Sequence, residues 1–381
     1  MIYWPDYKGG SIVNLMSSIA SACGEKTSYP NLKHLPKEEL RNYKNIVLII
    51  IDALGWDYLQ NKKDSFLYKN IRNKITSVAL PTTACAITTF LTGYPPQQTA
   101  VTGWHINIKE LGGVTTILPF VPRAKGSFDE KKIKIREILD KNGIFKNIKR
   151  KCFIVSPKEI NHCQYNLYHT RGAKVIDTKN INSFFSKIER VIKKQGKKYI
   201  YAYWPDFDSL CHEYGKESKK VKKHFNILDK KIKNLSKNIK DSILIITADH
   251  GSTSIPTHKR ILLGNHPQLR EYLTLPLCGD AKTKYCYVHP SKSKQFEEYI
   301  KNNLSEYCEF YKTEELINKN LFGLGKPNPK LFDRLGDYIL VMKGNNVLKE
   351  TILGEKDNKH IGNHGGLTKE EMEVPLVIIK S

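Results

Sequence analysis

The run "NIVLIIID", residues 45–52, is an almost unbroken set of branched apolar side chains that ends in a carboxylate. A strand with one wet face alternates apolar and polar residues. A run without alternation suits a strand covered on both faces, as in the centre of a parallel sheet. Three further runs have this character: "CFIVS" (152–156), "YIYAYWP" (199–205) and "SILIITAD" (242–249). Helical patterns over 181–195 and 217–239 separate them. Strands alternating with helices predict an α/β fold with a doubly wound, mainly parallel sheet and helices on both faces. From 259 to 345 the pattern breaks into shorter elements, such as "YCYVHP" and "DYILVMKG". That stretch reads as a smaller inserted α+β cap that selects substrate, and residues 1–258 and 346–381 as the core.

In open α/β sheets, ligands collect at the carboxyl ends of the strands. Here those ends carry chemistry. The first run ends in Asp52. The third leads into "PDFDSLCHEYG", where Asp208 and His212 stand at i, i+4 and so share a helix face, whereas Asp206 does not have that relation. The fourth ends in Asp249 and His250, and "GNHGGLTKEEMEVPLVII" near the C-terminus supplies His364. The stretch "SVALPTTACAITTFLTGYPP" (77–96) sets Thr82 and Thr83 at the mouth of an apolar helix that Gly93 and two prolines would stop. Taken singly, each feature has a plain structural reading: a turn, a helix cap, a surface pair. Their joint arrival at strand ends argues for a site. Three Asp and three His without a thiolate suit zinc, with manganese as the alternative. Two such ions clamp the oxygens of an in-line displacement at phosphorus. A helix N-terminus adds backbone donors for phosphate oxygens.

Bulk properties set the limits. The chain has 381 residues, 40% of them hydrophobic, which suffices for a large core. Its formal charge of +24 admits a polyanion partner, but the lysines are dispersed at helical spacings, as solvated faces would carry them. No stable nucleic-acid complex is expected. No run approaches the roughly 18 apolar residues of a membrane span, and "MIYWPDYKGG" lacks the pattern of a secretory signal. The expectation is a cytoplasmic protein without a membrane partner. Eight scattered cysteines, none in a C-x-x-C pair, read as reduced thiols rather than a disulfide framework or a cysteine zinc site.

The motifs "VLIIIDALGWD", "PTTACAITTFLTGYPP", "PDFDSLCHEYG", "TADHGS" and "NHGGLTKEEMEVPL" occur in an order that resembles the alkaline phosphatase superfamily, and most closely its type I phosphodiesterase/nucleotide pyrophosphatase branch. The resemblance runs from Ile46 to Val377. It implies that Asp52, Thr83, Asp249 and His250 hold one divalent ion, and that Asp208, His212 and His364 hold the other. It implies a threonine nucleophile about nine residues before the Thr of the closing "TG". Counting back from Thr92 gives Thr83, although the proline lies two residues before it instead of the usual three. The sulfatase signature around a cysteine or serine is missing at Cys85.

For the rest of the substrate the resemblance weakens. The branch carries an Asn in an "HG…N" context after the nucleophile helix. Here "QQTAVTGWHINIKELGG" has Trp104 near that place, with Asn107 as a substitute. Trp104 and His105 could wall a base or simply pack the core. Arg123 in "PFVPR" could meet a phosphate or lie on the surface, and Lys282 or Lys284 could reach the site from the cap. The expected activity is two-metal hydrolysis of phosphate diesters, on a small, nucleotide-like phosphate ester, through a phospho-threonine. The alternatives are a phosphomonoesterase or phosphonate hydrolase on the same site, or a catalytically silent polyanion-binding protein. The sequence sets no oligomeric state.

Overall fold

The computed structural model describes residues 2–128, 133–355 and 359–381. At its centre stands a seven-stranded sheet. Its strands are β1 (Asn45–Ile51), β2 (Ile71–Thr76), β3 (Lys151–Pro157), β4 (Ala173–Thr178), β5 (Lys198–Trp204), β6 (Ser242–Thr247) and β7 (Glu373–Lys380), in the order β2-β7-β6-β1-β5-β3-β4. All run one way except β7, which lies antiparallel between β6 and β2. Every residue of β1, β5 and β6 is buried, so both faces of the sheet are covered. The unalternating run at 45–51 is the sequence cause, and each buried Ile, Val or Leu there contributes about 1.5–3 kcal/mol.

The direction of β7 matters for the site. An antiparallel strand starts where its parallel neighbours end. The segment that precedes Glu373, and with it His364, therefore lies at the carboxyl ends of β1, β5 and β6. The 19-residue helix Lys219–Lys237 buries Val221, Phe225, Leu228, Ile232 and Leu235 on one face. Lys219, Lys220, Lys222, Lys223, Lys230, Lys233 and Lys237 are exposed on the other, as the dispersed lysines suggested.

A second seven-stranded sheet is antiparallel throughout. Its strands follow the order 308–312, 338–342, 283–286, 278–279, 105–108, 113–116 and 121–122. The stretch 105–122 thus joins the strands of 278–342 through one pairing, Gly279 opposite His105. That junction lies between segments far apart in sequence, so no local pattern reports it. Along 338–342 every residue is buried, and the cluster each side chain packs into alternates with period two. Ile339 and Val341 pack into the main core, whereas Tyr338, Leu340 and Met342 pack into a smaller apolar cluster with Phe296 and Ile300. Among the described residues no helix is long and apolar enough to cross a membrane. All eight cysteines are free thiols, and Cys163 is the one that is not buried.

Candidate active site

Three adjacent strands, β6, β1 and β5, deliver the carboxylates. The Asp52 amide extends the ladder one step beyond β1, donating to Trp204 O at 3.0 Å. Ala53 then turns the chain out at φ 59, a left-handed conformation that costs a residue with a Cβ roughly 1–2 kcal/mol. Its amide is held by Asp249 Oδ1 at 3.0 Å. The local strain and the two carboxylates are thereby tied together. After β5 the chain passes Pro205 into the helix Asp206–Tyr214, whose buried face carries Asp208 and, one turn on, His212. Asp206 is exposed on the other side, half a turn away from the site.

Thr83 is the first residue of the helix Thr83–Thr92, and Thr82 is its N-cap in extended conformation. Gly93 ends the helix at φ 78. Thr82 makes no side-chain capping bond, so its hydroxyl leaves the first-turn amides free. Thr83 lines the cavity described below, and its Oγ1 lies 3.1 Å from His250 Nε2. The approach to this helix is fixed from β6 and β7: Ser77 Oγ donates to Asp249 O, and Ser77 N to Met372 O at 2.7 Å.

The structure brings Asp52, Thr83, Asp208, His212, Asp249, His250 and His364 into one buried cluster. His250 Nε2 is 3.4 Å from Asp52 Oδ1 and 3.3 Å from Asp249 Oδ2. His212 Nε2 is 3.1 Å from Asp208 Oδ2. Two groups, Asp52–Asp249–His250 and Asp208–His250–His364, each offer ligand atoms within 4.8 Å of one another. His250 stands in both, so the two sets meet at His250. His212 reaches the second set through Asp208. Backbone carbonyls orient the imidazoles: His212 Nδ1 donates to Gly362 O at 2.7 Å, and His250 Nδ1 to Gly251 O at 3.0 Å. That leaves each Nε2 facing the cluster. Gly365, at φ +84, lets the chain turn beside His364; a Cβ there would meet the Asp280 side chain at 2.7 Å.

The electrostatics call for cations. Asp52 Oδ1, Asp208 Oδ1, Asp249 Oδ2 and His364 Nδ1 are buried without a hydrogen-bond partner. Burial, and then the charges of Asp249 and Asp208, push the Asp52 carboxyl well above its usual range. Burial raises Asp249 as well. Burial also opposes the charge of Asp208, but the adjacent His212 overrides it and holds that carboxyl below its usual range. His212, against its own burial, is pushed up to about 9 by Asp208. His364 is forced well down by burial and by His250. Three carboxylates and unsatisfied lone pairs converging in a dry site fit divalent cations with O and N ligands.

The cluster lines one part of a cavity of about 710 Å³, far larger than a phosphoryl group. Several residues in it escaped the sequence reading. His360 lines it, with its ring 4.4 Å from that of His212; the signal was present as a second histidine in "HIGNHGG". Tyr203 also lines it and donates to Asp52 Oδ2 from the alternate position of β5. Asp280 lines it with an unpartnered Oδ2.

The substrate candidates separate. Trp104 is half-buried; it packs on the core and also lines the cavity. Asn107 does not line the cavity; it sits further along its strand, and its amide faces Asp333 O at 3.4 Å. Arg123 reaches the cavity wall, but its guanidinium is spent on Glu355 at 2.7 and 3.1 Å, Leu277 O at 2.7 Å and Glu350 O at 3.0 Å. Lys282 is fully buried outside the cavity, paired with Glu371 at 2.8 Å. Lys284, two residues on, lines the cavity.

Comparison with known proteins agrees with this fold. The family model for type I phosphodiesterase / nucleotide pyrophosphatase matches residues 46–367. No curated protein sequence matches the chain. Among solved structures, murine ectonucleotide pyrophosphatase / phosphodiesterase 5 superposes with a TM-score of 0.67 at 16% identity, covering 88% of each chain. An inactive variant of it is known in complex with AMP. The human counterpart has a TM-score of 0.64 at 17% identity, over 88% of this chain and 87% of that one. Phosphonoacetate hydrolase from Sinorhizobium meliloti, in complex with phosphonoformate, has a TM-score of 0.63 at 15% identity, over 89% of this chain and 91% of its own. Fold, ordered motifs and family match converge: the chain belongs to the type I phosphodiesterase/nucleotide pyrophosphatase family of the alkaline phosphatase superfamily.

Proposed function

We propose that the protein hydrolyses phosphate diesters of small, nucleotide-like molecules, with Thr83 as nucleophile. The observation that carries this reading is the placement of Thr83 Oγ1 at an uncapped helix N-terminus, 3.1 Å from His250 Nε2 and beside four orphaned ligand atoms. Asp52, Thr83, Asp249 and His250 would hold one divalent ion and Asp208, His212 and His364 the other, zinc first and manganese as the alternative. When bound, such ions supply Lewis-acid stabilisation of the charge that develops on the phosphoryl oxygens.

The residues of the chain do the rest. Thr83 Oγ1 attacks phosphorus and forms an oxygen–phosphorus bond while the bond to the leaving oxygen breaks. The proton of the threonine hydroxyl passes to solvent in the cavity, since His250 Nδ1 is bonded to Gly251 O and its Nε2 would be taken up as a ligand, and the departing oxygen takes a proton from water and ends as a hydroxyl. First-turn amides of the helix Thr83–Thr92 donate to the phosphoryl oxygens. Water then cleaves the Oγ1–phosphorus bond, restoring the hydroxyl and releasing a monoester. Tyr203 and the two backbone carbonyls keep Asp52, His212 and His250 in position.

Comparing bis-p-nitrophenyl phosphate, p-nitrophenyl phosphate and a p-nitrophenyl phosphonate tests the reading. Preference for the diester supports it. Preference for the monoester or the phosphonate assigns the same site to the alternative reaction.

A further inference from the structure

Across the second sheet, His105, Gly279 and Lys284 stand in register on three neighbouring strands. Neighbouring strands lie about 4.8 Å apart, so the imidazole and the ammonium flank the glycine with roughly 10 Å between their backbones. All three residues line the cavity. Ile106 and Ile108 point to the main core, which sends His105 to the other face. Gly279 has φ +85, and a Cβ on it would meet Thr283 O at 2.4 Å. The middle of the row is therefore an enforced notch rather than an accident of composition.

Lys284 is 8% exposed. Among the described residues its ammonium makes no hydrogen bond and no ion pair; Asp280 and Glu350 act on it only at longer range. Arg123, another cation of the cavity wall, is already neutralised by Glu355 and Glu350. The Lys284 stem is buried and its ammonium meets the cavity without a partner from the protein, where an anion can pair with it. His105 shares its Nδ1 with the Thr116 hydroxyl at 3.2 Å, and burial holds the ring neutral, at about 3. The cavity that holds this row and the metal-ligand residues is also lined by apolar groups: Ile87, Leu118, Pro119 and Ile160.

We propose that the recess at Gly279, between Lys284 and His105, binds a second anionic group of the substrate, carried beyond an organic spacer from the reacting phosphorus. This rests on the reading of the site as a phosphodiesterase and narrows its substrate class to diesters with a distal oxyanion. Lys284 supplies the charge and His105 a wall against which the anion is held. The anion is a carboxylate or a further phosphate; both offer the oxygens that an ammonium pairs with.

Three matched p-nitrophenyl diesters decide it: the butyl ester, the 3-carboxypropyl ester and the 3-(phosphonooxy)propyl ester. The wild-type protein should favour one or both anionic esters over the butyl ester by at least about tenfold in kcat/KM, a difference of 1.4 kcal/mol. Lys284→Gln should erase that preference and Lys284→Arg should keep most of it. The ester that loses more identifies the anion. Equal use of all three esters by the wild type, or a preference that survives Lys284→Gln, overturns the recess and leaves the phosphodiesterase reading standing. If no diester is hydrolysed, that reading falls. Calorimetric titration with glutarate and pyrophosphate then judges the recess. Binding that Lys284→Gln abolishes supports it, and binding equal in both proteins overturns it.

Discussion

The imidazole rings of His250 and His364 stack with centroids 3.9 Å apart and planes 23° from parallel. One follows β6, and the other precedes the antiparallel β7, so the stack closes the site from two segments more than a hundred residues apart. It also joins the two groups of ligand atoms, since His250 belongs to both. Ions held by the two groups, as proposed above, should therefore influence each other.

Replacement of His364 follows from that. His364→Ala removes a buried, unpartnered imidazole nitrogen from a residue that lies outside the helices and strands. Elemental analysis should show one of two equivalents lost or weakened, with activity down at least about 10²-fold, the scale at which disturbed metal coordination acts. The melting temperature in chelator should change little relative to the wild type in chelator. Two full equivalents in the variant would remove His364 from the ligand set.

Chelator acts on stability as well as on rate. Asp52, Asp208 and Asp249 repel one another in a dry site. An ion that binds the folded chain at 100 times its Kd stabilises it by about 2.7 kcal/mol. Dialysis against chelator should lower Tm by several degrees and abolish turnover, and zinc should restore both. Full activity in chelator would sink the two-ion reading.

Lys282 has a different fate from that of Lys284. Its ammonium bonds Glu371 Oε2 at 2.8 Å and Thr253 Oγ1 at 3.0 Å, and the same carboxylate accepts from Gly366 N at 3.0 Å and Thr368 Oγ1 at 2.6 Å. This network ties the segment after His364 to the second sheet. Breaking a buried pair by removing one partner costs about 3–5 kcal/mol. Lys282→Met should lower unfolding free energy by that amount in denaturant titration. A loss below about 1 kcal/mol would mean the pair is solvated.

These contrasts mark what could be read in the sequence. The strand ends were legible because Asp52 and Asp249 each close a fully buried run, and burial on both faces leaves a one-dimensional signature. The helix mouth with Thr82 and Thr83 was legible because Pro81 and Gly93 bracket a helix, whereas the choice between the two came from the resemblance alone. Lys282 and Lys284 were not separable, since which of them meets the cavity depends on pairings with 338–342 and with Gly279 that form across more than fifty residues or through an irregular glycine. Arg123 looked free for the same reason: its partners Leu277, Glu350 and Glu355 are distant in sequence. Asn107 matched a motif by position only, and its strand carries it past the cavity.

The charge on Lys284 carries a pH signature. Burial, and then the charge of Arg123, push its ammonium down to about 8, against the smaller upward pull of Asp280, Glu350 and Cys278. His105, which faces it, stays neutral through this range. The proton is present below about pH 8 and lost above it. Preference for the anionic esters over the butyl ester should therefore fall as pH rises from 7 to 9. A ratio that stays constant across that range would disconnect Lys284 from the anion.

The two hydroxyls at the helix mouth give the sharpest test. Thr82 and Thr83 are adjacent and both buried, yet only Thr83 lines the cavity and contacts His250. Thr82 occupies the N-cap position without making the cap bond, so Thr82→Ala should cost less than the ~1 kcal/mol of a working cap and leave kcat within about tenfold. Thr83→Ala removes the attacking oxygen and should lower kcat by at least about 10³-fold while the protein still folds. Thr83→Ser keeps the hydroxyl and should retain part of the rate. Acid quenching during turnover should trap phosphate on residue 83, located by mass spectrometry. Phosphate on Thr82, or a Thr83→Ala protein that turns over at the wild-type rate, would move the nucleophile by one residue and with it the register counted from Thr92.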